Sequence, residues 1–316
     1  MKLLSIISDL ASQGLAADEV GLLQSVGNTP LVEIKRIFSS DRVRLFAKLE
    51  AFNPGGSVKM RPAYYMVRKG EESGELVSGK TIIDSTSGNT GIAYALIGAA
   101  KGYKVLLAMP ANATIERKKI LKSYGAELLL TDPLQGSDGA IRAIQDLYRK
   151  SPEEYFYPDQ YSNEFNWQSH YDSTAVEIYE QTQGQVTHFV AGLGTSGTFM
   201  GVTRRLKEWD SEIRAISFMP DSPFHGLEGM KHMPTSIVPK IYDSLLADEN
   251  LEIATEDAQK MVIRLVREEG IFAGLSSGAA LVASMKIAEN LDKGTVVTVF
   301  PDGGDKYLSE EFWNIK

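Results

Sequence analysis

Short apolar runs, separated by helix-like stretches, recur along the chain, and this alternation is what most limits its possible folds. The runs are Val43–Leu49, 81–84, 104–109, Glu127–Thr131, 186–191, 213–219 and 295–300. Strands alternating with helices predict an α/β fold. The runs Val105-Leu106-Leu107-Ala108-Met109 and Val296-Val297-Thr298-Val299-Phe300 barely alternate in polarity. A strand with one wet face alternates, whereas a parallel strand covered on both faces does not. The sheets are therefore expected to be open, twisted and mostly parallel, flanked by helices. A chain of 316 residues has room for two compact units. No Gly/Ser- or Pro-rich linker, internal repeat or low-complexity tract divides it, which favours two interleaved units over separate ones.

One helix is legible in detail. Thr255 reads as its cap, Glu256 and Asp257 favour its positive end, and Ala258, Met261, Val262, Leu265 and Val266 form a stripe at i, i+3, i+4, i+7 and i+8. Gly270 supplies the stop. That stripe is core packing and carries no functional information.

The composition narrows the functions. A net charge of −8 argues against nucleic acid as a partner, since binding it needs a basic stripe, and points to small molecules. With no cysteine and four scattered histidines, neither disulfides nor a metal site is expected. No window approaches the roughly 20 apolar residues of a membrane span. The start, Met1-Lys2-Leu3-Leu4-Ser5-Ile6-Ile7, is interrupted by Asp9 and reads as an amphipathic helix in place of a signal peptide, so a cytoplasmic location is expected.

Four glycine- and hydroxyl-rich segments lie beside the expected strands, where open α/β sheets place their ligand loops. In Asn53-Pro54-Gly55-Gly56-Ser57-Val58-Lys59, a Pro-Gly-Gly turn leads to a lysine at a helix start. A positive helix end and an enclosed site both depress a lysine pKa, favouring the neutral amine that Schiff-base chemistry needs; an isolated lysine is otherwise a solvated surface residue. Ser85-Thr86-Ser87-Gly88-Asn89-Thr90-Gly91 offers helix-start amides and hydroxyls suited to a carboxylate, although a capped tight turn has the same composition.

Gly192-Leu193-Gly194-Thr195-Ser196-Gly197-Thr198 fails the P-loop pattern, lacking its lysine, and also fails GxGxxG, because Thr198 stands at the third glycine. It can still cradle one phosphate monoester, or be only a glycine-rich turn. In Gly274-Leu275-Ser276-Ser277-Gly278-Ala279-Ala280, small residues allow a flat ring to approach, and the Ser276 hydroxyl can meet a pyridine nitrogen or simply cap a helix.

Taken in this order, from Gly27-Asn28-Thr29-Pro30-Leu31 to Asp302-Gly303-Gly304-Asp305-Lys306-Tyr307-Leu308-Ser309, the segments resemble the cysteine synthase and cystathionine β-synthase family of pyridoxal-phosphate enzymes. The resemblance implies a tryptophan-synthase-β-like fold of two interleaved sheets. It assigns an N-terminal domain to 1–30 and 53–160, with a mobile substrate-closing part, and a cofactor-phosphate domain to 31–52 and 161–316. It makes Lys59 the Schiff-base lysine and general base, and Asn89 the partner of the cofactor's ring hydroxyl. Thr86, Ser87, Thr90 and Gln160 would bind the substrate carboxylate, with Asn89 beside them. Gly194, Thr195, Ser196, Gly197 and Thr198 would hold the cofactor phosphate, and Ser276 would face the pyridine nitrogen.

The reaction so implied is a β-replacement through an aminoacrylate, joining an O-activated serine to sulfide or another sulfur donor to give cysteine, in a homodimer. Homocysteine or an amine as nucleophile would give other products. A non-catalytic regulatory protein of the same fold is the remaining alternative. Two places depart from the family pattern: Met60 after the lysine, where many relatives carry Asp, and Ala175-Val176 within Ser173-Thr174-Ala175-Val176-Glu177-Ile178, where Gly-Pro is usual. The stretch from His225 to Pro234 is most similar to the cysteine synthase B branch, in whose O-phosphoserine users a cation falls near Lys231. O-phosphoserine is therefore an expected donor alongside O-acetylserine, unless Lys231 faces solvent.

Overall fold

The computed structural model describes residues 21–86 and 88–314, so the expected N-terminal helix and Ser87 lie outside the described residues. Two sheets organise the chain. The six-stranded sheet runs, in spatial order, β1 (Leu31–Glu33), β2 (Val43–Leu49), β10 (Gly294–Phe300), β7 (His188–Gly192), β8 (Arg214–Pro220) and β9 (Glu249–Ile253). Only the β1–β2 pair is antiparallel. The four-stranded sheet, all parallel, runs β5 (Glu127–Thr131), β4 (Lys104–Pro110), β3 (Thr81–Ser85) and β6 (Tyr155–Phe156). Flanking helices are α1 (Met60–Ser73), α2 (Asn89–Lys101), α3 (Ile115–Ser123), α4 (Gly136–Lys150), α5 (Phe165–Ser169), α6 (Ala175–Gln181), α7 (Gly197–Trp209), α8 (Thr255–Arg264) and α9 (Leu275–Ala288).

The low-alternation runs do what their composition requires. On β10, Val296 and Phe300 pack into a core with Ala258 and Leu281, while Val297 and Val299 face the opposite core with Phe199 and Met200. On β4, Val105, Leu107 and Met109 join one core, and Leu106 and Ala108 the other. Both faces of β4 and β10 are covered, so neither strand has a solvent face to demand alternation. The strand nearest the C-terminus, β10, lies between β2 and β7. Residues 31–49 thus enter the larger sheet before the chain builds the smaller one, and this crossing interleaves the two units.

Some expectations need correction. Three short strands carried no readable pattern: β1 has three half-buried residues, β6 has two residues, and the edge strand β9 is mostly polar. Thr255 is the first residue of α8, not its cap. Ala254 holds the cap position, and the Thr255 hydroxyl accepts from Gly226 N at 3.0 Å. After Arg264 the helix widens into a π turn, Leu265–Glu269, which Gly270 ends in the left-handed region at φ 71°, where glycine carries no Cβ penalty. Met60 is fully buried, and Ala175 and Val176 lie buried in a helical path joined to α5 through a second π turn, His170–Thr174.

Candidate active site

Lys59 stands at the N-cap position of α1, directly after a turn in which Gly55 and Gly56 have φ of 74° and 71°. Two successive left-handed residues need glycine, which accounts for the Pro-Gly-Gly spelling. Behind the lysine, α1 is pinned by Arg61. Its guanidinium forks onto Glu50 (2.7 and 2.9 Å) and onto Glu177 (2.6 and 2.8 Å), and also reaches Ser173 and Thr29. Lys48 completes the group, 2.6 Å from Glu177. Burial alone would raise the Glu177 pKa, but Arg61 and Lys48 outweigh it and hold the carboxyl at about 2.

In front of the lysine a cleft opens at the C-terminal ends of β3, β4, β7 and β10. A cavity of about 330 Å³ is lined by Lys59, Thr86, Asn89, Thr90, Gln160, Gly194, Thr195 and Lys231 among others. A smaller space of about 80 Å³ adjoins it, lined by Lys59, Asn89, Gly194, Thr198 and Ser276. Ser196 and Gly197 line neither; they form the turn into α7, with Ser196 left-handed at φ 69°. Ser87 lies outside the described residues.

Burial pushes the Lys59 pKa below its usual value, with Asp302 opposing. Lys59 Nζ makes no hydrogen bond among the described residues, and the lowered pKa makes its neutral, nucleophilic form more accessible. Lys231 is half-buried, with Nζ 5.0 Å from the centre of the Tyr161 ring; burial lowers its pKa, Asp138 opposing. It belongs to the cleft wall and not to the open surface.

Asn89 is clamped from both sides. Its Nδ2 donates to Asp302 Oδ2 at 2.7 Å, and its Oδ1 accepts from Lys306 Nζ at 2.7 Å. Lys306 also donates to the carbonyls of Gly55 and Gly56, and Tyr307 donates to Asp302 Oδ2 at 2.8 Å. The Asp302 backbone bridges Ser57 and accepts from Gly274 N, so this residue joins three of the four glycine-rich segments. Thr90 Oγ1 donates to Gln160 Oε1 at 2.9 Å, leaving the Gln160 amide protons free to serve a ligand. Asn166 donates to Gln160 O and to Thr195 Oγ1. His170, neutral because burial and the nearby Arg61 and Lys59 charges drive its pKa well down, contacts Thr198 Oγ1 at 3.3 Å.

Glycine at 194 and 197 serves close approach. A Cβ on Gly194 would stand 2.2 Å from Gly229 O, and one on Gly197 would stand 2.0 Å from Asn166 Oδ1. Two polar atoms of the cavity walls, Ser85 Oγ and Asp302 Oδ1, are buried with no hydrogen-bond partner among the described residues, as is Ser196 Oγ in the adjoining turn. Unpaired buried polar atoms are costly and mark places where a ligand completes the bonding.

Asn166, His170, Asp302, Lys306 and Tyr307 received no role from the sequence, nor did Arg117 and Glu228, which also line the larger cavity. The signal for Asp302 to Tyr307 was present: charged residues in a glycine-rich turn directly after a core strand.

The family described as pyridoxal-phosphate dependent enzymes matches residues 22–302. The chain is 51% identical to a cysteine synthase of Aquifex aeolicus over 93% of its own length and 92% of that protein. It is 42% identical to a cysteine synthase B of Pseudomonas aeruginosa, covering 90% of this chain and 94% of that one. The crystal structure of a cysteine synthase from Entamoeba histolytica superposes with a TM-score of 0.90 at 38% identity, covering 96% and 94% of the two chains. This chain belongs to the pyridoxal-phosphate-dependent enzymes, within the cysteine synthase group.

The residues present fit that cofactor. An enclosed amine whose pKa burial lowers, a hydroxyl at Ser276 with no hydrogen bond among the described residues, and a lysine-free Gly194–Thr198 turn opening α7 would supply an attachment point, a neutral ring-nitrogen partner and a monoester cradle.

Proposed function

We propose that this protein forms L-cysteine by replacing the β-substituent of an O-activated L-serine, O-phosphoserine or O-acetylserine, with sulfide or another small sulfur donor. The observation that carries this reading is the convergence of Lys59, Asn89, Ser276 and the Gly194–Thr198 turn on one cleft. When bound, the cofactor supplies a conjugated electron sink next to the substrate's α-carbon. Lys59 Nζ would hold the cofactor in the resting protein and, as a free amine, would take the substrate's α-proton and later return it.

Thr86, Ser87, Thr90 and the free amide protons of Gln160 receive the substrate carboxylate. Asn89, fixed by Asp302 and Lys306, would have one amide proton left for the cofactor's ring hydroxyl. Gly194 to Thr198 take the phosphate through backbone amides at the start of α7, helped by the Ser196 and Thr198 hydroxyls. Ser276 would meet the ring nitrogen with a neutral hydroxyl, which would not stabilise a protonated ring.

Lys231, a cleft-wall cation without an ion-pair partner among the described residues, receives the leaving group when that group is a phosphate. Incubation with each donor plus sulfide is expected to yield cysteine. Lys231→Ala is expected to lower kcat/KM for O-phosphoserine about tenfold more than for O-acetylserine, as befits the loss of one charge-assisted contact. An equal loss for both donors would remove Lys231 from the reading.

We further infer a homodimer in the cytoplasm, with domains at 1–30 and 53–160 and at 31–52 and 161–316. The family supports the dimer, and the β2 crossing supports the division. No helix among the described residues is long and apolar enough to cross a membrane. Sedimentation velocity showing only monomer at micromolar concentration would overturn the dimer.

A further inference from the structure

The larger cavity has four charged side chains in its wall: Lys59, Arg117, Glu228 and Lys231. Lys59 is committed to the cofactor. Of the other three, Arg117 and Glu228 are committed to each other, with Nη1 on Oε1 and Nη2 on Oε2, a two-pronged guanidinium–carboxylate pair. Arg117 belongs to α3, beside the four-stranded sheet. Glu228 belongs to the loop after β8, on the six-stranded sheet. The pair therefore spans the cleft between the two units.

Its two partners differ in shelter. The Arg117 side chain keeps 12% of its exposure and that of Glu228 keeps 37%. The guanidinium is the fixed, desolvated member, and the carboxylate is the one nearer water. An anion that took the place of Glu228 would inherit a sheltered two-pronged partner, and the released carboxylate would be hydrated.

We propose that Arg117 is a second anion-binding group of this cleft and that Glu228 is its built-in competitor, so that the pair sets how readily an anionic leaving group is accepted over a neutral one. This rests on the reading that O-activated serines enter here. A phosphate dianion would find two cations, Arg117 and Lys231, matching its charge once Glu228 has moved. A neutral acetyl group gains nothing from displacing Glu228 and leaves the pair closed. Glu228 thus acts as a specificity-determining residue through Arg117, and the effective affinity for an anion is reduced by the fraction of Arg117 that Glu228 holds.

The test is calorimetric titration of inorganic phosphate into the cofactor-loaded protein, whose phosphate cradle is already filled. Glu228→Gln is expected to tighten phosphate binding about fivefold, the scale of one partly sheltered ion pair, and Arg117→Gln to weaken it. In the Arg117→Gln background, Glu228→Gln should give no gain. The same fivefold gain in both backgrounds would overturn the proposal, because simple removal of a negative charge would then explain it; so would unchanged or weaker binding in Glu228→Gln. Glu228→Asp, which keeps the charge but retracts the carboxylate, should fall between the native protein and Glu228→Gln.

In turnover, Glu228→Gln should lower KM for O-phosphoserine and change that for O-acetylserine by less than about twofold. Phosphate binding is read without turnover. A protein that bound phosphate as described but made no cysteine would overturn the proposed reaction and leave the anion site standing.

Discussion

Lys59 divides two polar interiors of opposite character. Behind it, Lys48, Glu50, Arg61 and Glu177 are buried or nearly so, and their charged atoms are paired: Arg61 alone makes six side-chain hydrogen bonds. In front of it, Lys59 Nζ, Ser85 Oγ and Asp302 Oδ1 have no hydrogen-bond partner among the described residues. A buried charge without compensation is destabilising, so the first region can exist only complete. The second is incomplete by the same criterion, and a bound ligand would complete it. The difference separates residues that hold the lysine in place from residues that use it.

Three predictions press on this contrast. The largest effect belongs to the satisfied region. Arg61→Met leaves Glu50 and Glu177 facing each other without their shared cation and is expected to cost about 3–5 kcal/mol in denaturant unfolding. A loss below about 1 kcal/mol would mean that the network does not secure the helix that carries Lys59.

Next comes Asp84, buried near the end of β3. Burial raises its pKa to about 7, against the bond from Ser85 N. An unfolded aspartate titrates near about 3.9. Between these values the native state binds more protons than the unfolded state, so stability falls as pH rises from about 4 to about 7, by at most ~1.4 kcal/mol per pH unit. Asp84→Asn keeps the acceptor without the charge. Its stability gain over the native protein should therefore be larger at pH 8 than at pH 5, and equal gains at both would place the ionisation elsewhere.

The smallest effect is local to the ligand side. Gly194→Ala puts a methyl group against Gly229 O and should weaken cofactor binding about tenfold in a fluorescence titration, the scale of one overpacked contact. Cofactor affinity unchanged by that methyl would show that the turn does not need its close approach.

The fold was legible where burial is two-sided. Low-alternation runs such as those of β4 and β10 imply covered parallel strands, and both are covered. β1, β6 and β9 were not legible, because two or three residues, or an edge strand as polar as Glu249–Ile253, leave no pattern to read. Among candidate site residues, those in glycine- and hydroxyl-rich turns announced themselves through unusual backbone needs. Arg117 and Glu228 did not, since a charged residue on a helix or in a loop reads as solvated until the fold shows what it faces; Asp302 and Lys306 stood in a telling glycine-rich turn, but their partners could not be read from it. The reach from Lys306 to Asn89 crosses 217 positions, and the Arg117–Glu228 contact crosses 111; no local pattern encodes either.

The central claim is that the incomplete side of this interior is completed by a cofactor held on Lys59. Borohydride reduction of the loaded protein, followed by peptide mapping in a mass spectrometer, tests it most directly. The account predicts one reduced pyridoxyl-phosphate adduct, on the peptide containing Lys59, and none in Lys59→Ala. An adduct confined to another lysine, or a native protein that takes up no cofactor, would contradict it.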